Sequence, residues 1–205
     1  MGKLVILLSG KKGTGKNTSA SIITDMLGAE NVDEIAFADP IKRFCMDCFG
    51  LTQIQCYGTS GERESPSSIR WSDISSSYRP HNADGLMTVR EVLQFVGTEV
   101  LRGFYPDIWA HAGLTAARRS EKKVVVFTDT RFPNEIAKIK SMELDIPPAT
   151  VVTVRINRET GRIDNHESET ALDNYEHFDY IIDNNHGRES LKKNIFAIME
   201  NYKWI

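Results

Sequence analysis

Cysteine is scarce in this chain: 205 residues carry only Cys45, Cys48 and Cys56. Three cysteines cannot frame a disulfide-stapled fold, and Cys45-x-x-Cys48 has no second such pair to complete a metal or redox site. Free, packed thiols in a reducing cytoplasm are expected. No sign of charge dominates either, with 25 Lys and Arg against 28 Asp and Glu and a formal net charge of −3. A general nucleic-acid binder shows a basic excess, so no nucleic acid is expected as a partner. Long hydrophobic runs are missing too: nothing approaches the ~18 apolar residues of a membrane span. The opening MGKLVILLSG has neither a basic leader nor a small-residue cleavage site, so it reads as a buried first strand.

What is present suits one folded unit. Hydrophobic residues make up 40% of the chain, and its length predicts a single domain over 1–205 with an inserted segment. Short continuous runs of Val, Ile and Leu predict strands at the start and at 34–38, 123–129, 150–156 and 178–183. Such runs suit a parallel sheet buried on both faces. Helical periodicity falls at 15–27, 40–49, 88–102, 107–119 and 188–203; the third opens with the capping box Thr88-Val-Arg-Glu91. The alternation predicts a doubly wound α/β fold with a mostly parallel five-stranded sheet. Two stretches break it. Residues 52–86 form a polar insertion rich in Ser, Gly and charge, and residues 157–177 read as a lid.

The strongest motif is Gly10-Lys11-Lys12-Gly13-Thr14-Gly15-Lys16, between the first strand and first helix. G-x-x-x-x-G-K in that context is a Walker A phosphate loop of the P-loop NTPase kind. Its glycines let backbone N–H groups turn toward phosphate oxygens, the helix N-terminus adds partial positive charge, and Lys16 adds a full one. ATP is the expected ligand, on Gly10, Lys11, Gly13, Thr14, Gly15, Lys16, Asn17 and Thr18. The position after the lysine, ordinarily Ser or Thr, is Asn17. Its amide oxygen and the Thr18 hydroxyl are candidate Mg2+ ligands, with Asp129 at the end of KVVVFTD as the carboxylate.

Arginines supply the remaining charge. Arg131 lies two residues beyond Asp129, and Arg155, Arg158 and Arg162 lead into the second excursion. Planar guanidinium donors suit a phosphoryl group in transfer. His166 and Glu169 are candidate lid or substrate contacts. Asp39 and Lys42 follow the second strand, where open α/β sheets bind ligands. Arg90 and Gln94 share the polar face of helix 88–102, suited to a phosphate and a base edge, and Trp109 could stack on a base. Asn185 and Gly187, in the turn after the last strand, could cradle adenine through backbone groups.

Taken in order, SGKKGTGKNT, ADPIKRF, VREVLQFVGTEVLR with DIWAHAG, VVFTDTRFPNE, NHESE and DYIIDNNHG resemble the phage deoxynucleoside monophosphate kinase family. The segments span most of the chain, 52–86 excepted. The resemblance implies ATP- and Mg2+-dependent conversion of deoxynucleoside monophosphates to diphosphates. It implies a small-molecule acceptor and a cytoplasmic setting, the host cytoplasm if phage-encoded; a homodimer stays open. Family members often read G-K-D-T where this chain has Gly15-Lys16-Asn17-Thr18. Two other readings stand beside it: a P-loop kinase resembling dephospho-coenzyme A kinase, with Asp39 as base, and a nucleotide-binding module without catalysis.

Overall fold

The computed structural model describes residues 2–161 and 166–204, apart from the Ser60 side chain. The candidate Arg162 lies outside the described residues. In chain order the elements are β1 (Leu4–Ser9), α1 (Lys16–Leu27), β2 (Val32–Ile35), α2 (Asp39–Phe49), α3 (Gln53–Tyr57), α4 (Ser60–Glu64), β3 (Pro66–Arg70), β4 (Leu86–Thr88), α5 (Val89–Gln94), α6 (Ile108–Arg119), β5 (Val124–Thr130), α7 (Pro133–Lys140), β6 (Thr150–Asn157), α8 (Glu167–Thr170), β7 (Tyr180–Asp183) and α9 (Arg188–Asn201). The chain divides into two compact units, Met1–Phe37 with Ala110–Ile205, and Ala38–Trp109.

The first unit is built on a five-stranded sheet of order β2-β5-β1-β6-β7, every neighbouring pair parallel. This is the doubly wound P-loop fold. Alternate residues of the strands serve opposite faces. Leu4, Ile6 and Leu8 of β1, with Val124, Val126, Val152, Val154 and Ile156, pack with Ile22 and Ile23 of α1 and Leu191, Ile195 and Ile198 of α9. Phe127, out of phase with that set, stacks on Phe37 with ring centroids 4.4 Å apart. The second strand ends at Ile35 rather than 38; past it the Phe37 N–H donates to the Asp129 side chain at 2.7 Å.

The second unit holds α2 to α5 and an antiparallel pair of β3 with β4. The polar insertion is therefore largely ordered. Its signals are local: Thr52 and Gln55 form a capping box at α3, and the Ser67 hydroxyl donates to the Met87 carbonyl at 2.8 Å. The periodicity of 88–102 breaks within the helix. After Gln94 the backbone widens to a π-helix over Phe95–Arg102, a form often found at functional sites. Trp71 packs edge-on against Phe95, their centroids 5.5 Å apart.

Gly113 in α6 shows how tightly the first unit is packed. A Cβ there would stand 2.3 Å from a Phe37 ring carbon and 3.1 Å from one of Phe127. Alanine is the better helix former by about 1 kcal/mol, yet overpacking against two stacked rings costs about 1–3 kcal/mol, so the clash should win. Gly113→Ala is expected to lower stability by about 1–2 kcal/mol, read as an earlier midpoint in urea unfolding. A later midpoint would mean the ring pair has room to move.

Candidate active site

The phosphate loop leaves β1 at Ser9 and ends where α1 begins. Gly10 has φ 147° and Gly15 φ 108°, conformations that side-chain-bearing residues rarely adopt. Space demands glycine as well. A Cβ on Gly10 would lie 2.4 Å from the Ile156 carbonyl oxygen, and one on Gly15 would lie 2.5 Å from the Asn184 amide nitrogen. The loop is thereby pressed against the ends of β6 and β7.

Lys16 folds back into the loop, only 8% exposed. Its Nζ donates to the carbonyls of Gly10 at 2.6 Å and Lys11 at 2.9 Å. Burial, first, and the neighbouring Arg131 push its ammonium down to about 7, with Arg155 adding to the depression and Glu169 and Asp129 opposing it. A cation so destabilised is poised to gain from anionic phosphate. Thr14 is buried and its hydroxyl donates to the Lys11 carbonyl at 2.9 Å. Asn17 is exposed and Thr18 half-buried on the first turn of α1.

Side chains from three other places converge on this loop. Arg131, just past β5, donates from Nη1 to the Gly10 carbonyl at 3.1 Å and to Glu169 Oε2 at 2.7 Å. The same Glu169 oxygen accepts the Lys12 backbone N–H at 3.1 Å. Asp129 accepts the Phe37 N–H at 2.7 Å. At the start of α7, Glu135 takes the N–H groups of Arg131 and Phe132 at 2.8 and 3.0 Å. Arg155 donates to the Ser9 hydroxyl at 3.2 Å and to Asp173 at 3.1 Å, and Lys11 Nζ donates to Asp173 at 2.8 Å.

Four more candidates belong to the same unit. Arg158 is exposed. His166 Nδ1 accepts the Ser168 N–H at 3.2 Å, capping α8. Asn185 accepts the Glu159 N–H at 2.9 Å and Gly187 caps α9. The residue that grips the loop is instead Asn184, buried, donating its amide to the Thr14 carbonyl at 2.8 Å. Asn184 continues the alternation of buried Ile182 and exposed Asp183, a register that the two adjacent asparagines do not reveal by themselves.

The second unit holds the remaining candidates. Asp39 pairs with Lys42 at 3.6 Å, and the Lys42 ammonium lies 4.3 Å from the Tyr57 ring centre. Arg90 donates from Nε to Glu64 at 2.5 Å, while its buried Nη2 has no hydrogen-bond partner among the described residues. Arg63, which the sequence did not single out, lies close by; burial and then the Arg90 charge lower its pKa. Gln94 is half-buried. Trp109 is buried and its indole N–H donates to the Gly97 carbonyl at 2.8 Å, which ties it into the framework of its unit. The cysteines are free, with Cys45 and Cys56 buried; burial drives the Cys45 thiol up to about 12, which makes it inert.

Among the described residues no three His, Cys, Asp or Glu side chains group to hold a metal ion. The oxygen donors of Asn17, Thr18 and Asp129 suit Mg2+ in another way. That ion keeps several waters and takes one or two protein ligands together with substrate phosphates. No helix among the described residues is long and apolar enough to cross a membrane.

Comparison with known proteins bears on the family. A family model described as deoxynucleotide monophosphate kinase matches residues 66–195. A protein of Acanthamoeba polyphaga mimivirus, provisionally named a deoxynucleotide monophosphate kinase, is 31% identical over 211 residues, covering 97% of each chain. Among solved structures, a gluconokinase from Sinorhizobium meliloti shares 14% identity at TM-score 0.44, covering 99% of this chain and 96% of its own. An APS kinase of Mycobacterium tuberculosis shares 11% at TM-score 0.44, covering 97% of each. At those scores the two likenesses add nothing to the sheet order itself. The family match and the viral relative decide the matter: the chain belongs to the deoxynucleotide monophosphate kinase family.

Proposed function

We propose that this kinase transfers the γ-phosphoryl group of ATP to a deoxynucleoside monophosphate, giving the diphosphate and ADP. The observation that carries the reading is the phosphate loop, with Lys16 buried against the Gly10 and Lys11 carbonyls and ringed by Arg131 and Arg155. In the reaction an acceptor phosphate oxygen bonds to the γ-phosphorus as the bond to the β–γ bridging oxygen breaks, and ADP leaves. The attacking oxygen is already anionic, so no strong general base is needed. Positioning and charge stabilisation then supply the catalysis.

The roles follow the chemistry of each group. Gly10, Lys11, Gly13, Thr14, Gly15, Lys16, Asn17 and Thr18 bind the phosphates of ATP, and Asn185 and Gly187 its adenine. Lys16, Arg131, Arg158 and Arg162 offset charge on the transferring group. Asn17, Thr18 and Asp129 would hold Mg2+, which would supply positive charge to offset that of the phosphates. Asp39, Lys42 and Arg90 serve the acceptor, and to these we add Arg63, since two adjacent, partly desolvated guanidinium groups favour an anion. Gln94 is assigned to the base edge, with His166, Glu169 and Trp109 as supporting groups.

ADP release from ATP and Mg2+, measured across all deoxy- and ribonucleoside monophosphates, tests the reading. Release should rise with at least one deoxynucleotide acceptor. A folded protein whose release is indifferent to every monophosphate would refute it, and stimulation only by an alcohol acceptor would point to a different kinase.

Asn17 yields a sharper expectation. A neutral amide oxygen binds a hard cation less well than a carboxylate. Asn17→Asp should keep turnover and lower the Mg2+ concentration for half-maximal rate, while Asn17→Ala should raise it. Superimposable Mg2+ titrations of the three proteins would remove this side chain from the metal's surroundings.

A further inference from the structure

Asp173 is not among the groups assigned so far, yet it bridges two cations at the edge of the phosphate loop. Its Oδ2 lies 2.8 Å from Lys11 Nζ, and its Oδ1 lies 3.1 Å from Arg155 Nη2. Both partners are tied to the loop. Lys11 belongs to it, and its carbonyl receives Lys16 Nζ. Arg155 sits opposite Ser9 in the β1–β6 register and donates to the Ser9 hydroxyl at 3.2 Å, one residue before Gly10. Four residues earlier, Glu169 takes a loop amide, the Lys12 N–H, at 3.1 Å and pairs with Arg131. One short turn thus lays two carboxylates on a loop whose other features all suit anions.

The two carboxylates differ in how firmly they are held. The Glu169 side chain is 8% exposed, a fixed part of the site. The Asp173 side chain is 33% exposed, and Lys11 46%, so their pair is wet and weak. A contact of that kind is readily exchanged for a polyphosphate, whose several charges attract the same ammonium more strongly.

We propose that Asp173 is a positioning residue that sets the loop's affinity for polyphosphate. It acts as an internal counter-charge on Lys11 and Arg155, which these two cations give up when nucleotide phosphates arrive. The inference rests on the loop being the ATP site. Asp173 weakens the resting attraction for the donor and, by symmetry, for the ADP that must leave. Its removal should therefore tighten binding. A residue that merely braced the loop would do the reverse.

The test is calorimetric binding of ATP, inorganic tripolyphosphate and adenosine to the full chain and to Asp173→Asn and Asp173→Glu. Asp173→Asn should bind both polyphosphates about threefold to tenfold more tightly, as expected for removing one charge beside the site. That gain should shrink at high salt. Adenosine binding should not change, and Asp173→Glu should return the affinities toward wild type. Unchanged or weaker polyphosphate binding by a folded Asp173→Asn protein would overturn the proposal. So would an equal gain for adenosine, or a wild-type protein that binds neither polyphosphate. Tripolyphosphate keeps this proposal separate from the proposed reaction: a charge-dependent gain without any acceptor-stimulated turnover would sink the kinase reading and leave Asp173 in its role.

Discussion

A buried ammonium group governs the organisation of this protein. Lys16 has left water, and among the described residues the Gly10 and Lys11 carbonyls take the place of its hydration. A lone buried charge is costly unless it is paired or hydrogen-bonded, so the loop must curl tightly enough to bring those oxygens within reach. That curl needs positive φ at Gly10, Gly13 and Gly15. It also needs a flat platform, which the ends of β1, β6 and β7 provide. Arg131 and Arg155, two further cations close by, make the arrangement less comfortable without an anion than with one.

The surrounding side chains can be understood as answers to that problem. Asn184 anchors the loop through the Thr14 carbonyl. Glu169 and Asp173 supply negative charge at its edge, the first buried and fixed, the second solvated and exchangeable. Asp129 bonds the chain just before α2 through the Phe37 N–H, while the Phe37 ring stacks on Phe127. The Asp129 carboxylate and the packing of the core are therefore joined through one residue.

The sheet was legible because its strands are continuous apolar runs and its phosphate loop has a fixed spacing between strand and helix. The order of the segments, more than any one of them, carried the family. Local chemistry hidden by composition was not legible. The insertion 52–86 looks like a loop, since Ser, Gly and charge dominate it, yet a capping box at Thr52 and the pairing of β3 with β4 order it. Asn184 and Asn185 are neighbours of the same type, and only burial distinguishes the one that grips the loop. Asp173 lies 162 residues from Lys11, a pairing that no pattern along the chain announces. The π-helix after Gln94 was not legible either: the apolar residues of 88–102 are spaced for an ordinary helix, yet the structure also buries Phe95 and Gly97.

The central claim is that the Lys16 ammonium exchanges carbonyl oxygens for phosphate oxygens when nucleotide binds. Nitrogen-15 NMR of the Lys16 side chain, titrated with pH in the free protein and with a non-hydrolysable ATP analogue and Mg2+, tests it directly. The free lysine should lose its proton near pH 7, far below the ordinary 10.5, because burial and Arg131 disfavour the charged form. With the analogue bound its pKa should rise sharply, since adjacent phosphate charge favours that form. A Lys16 that titrates alike in both states would contradict the account.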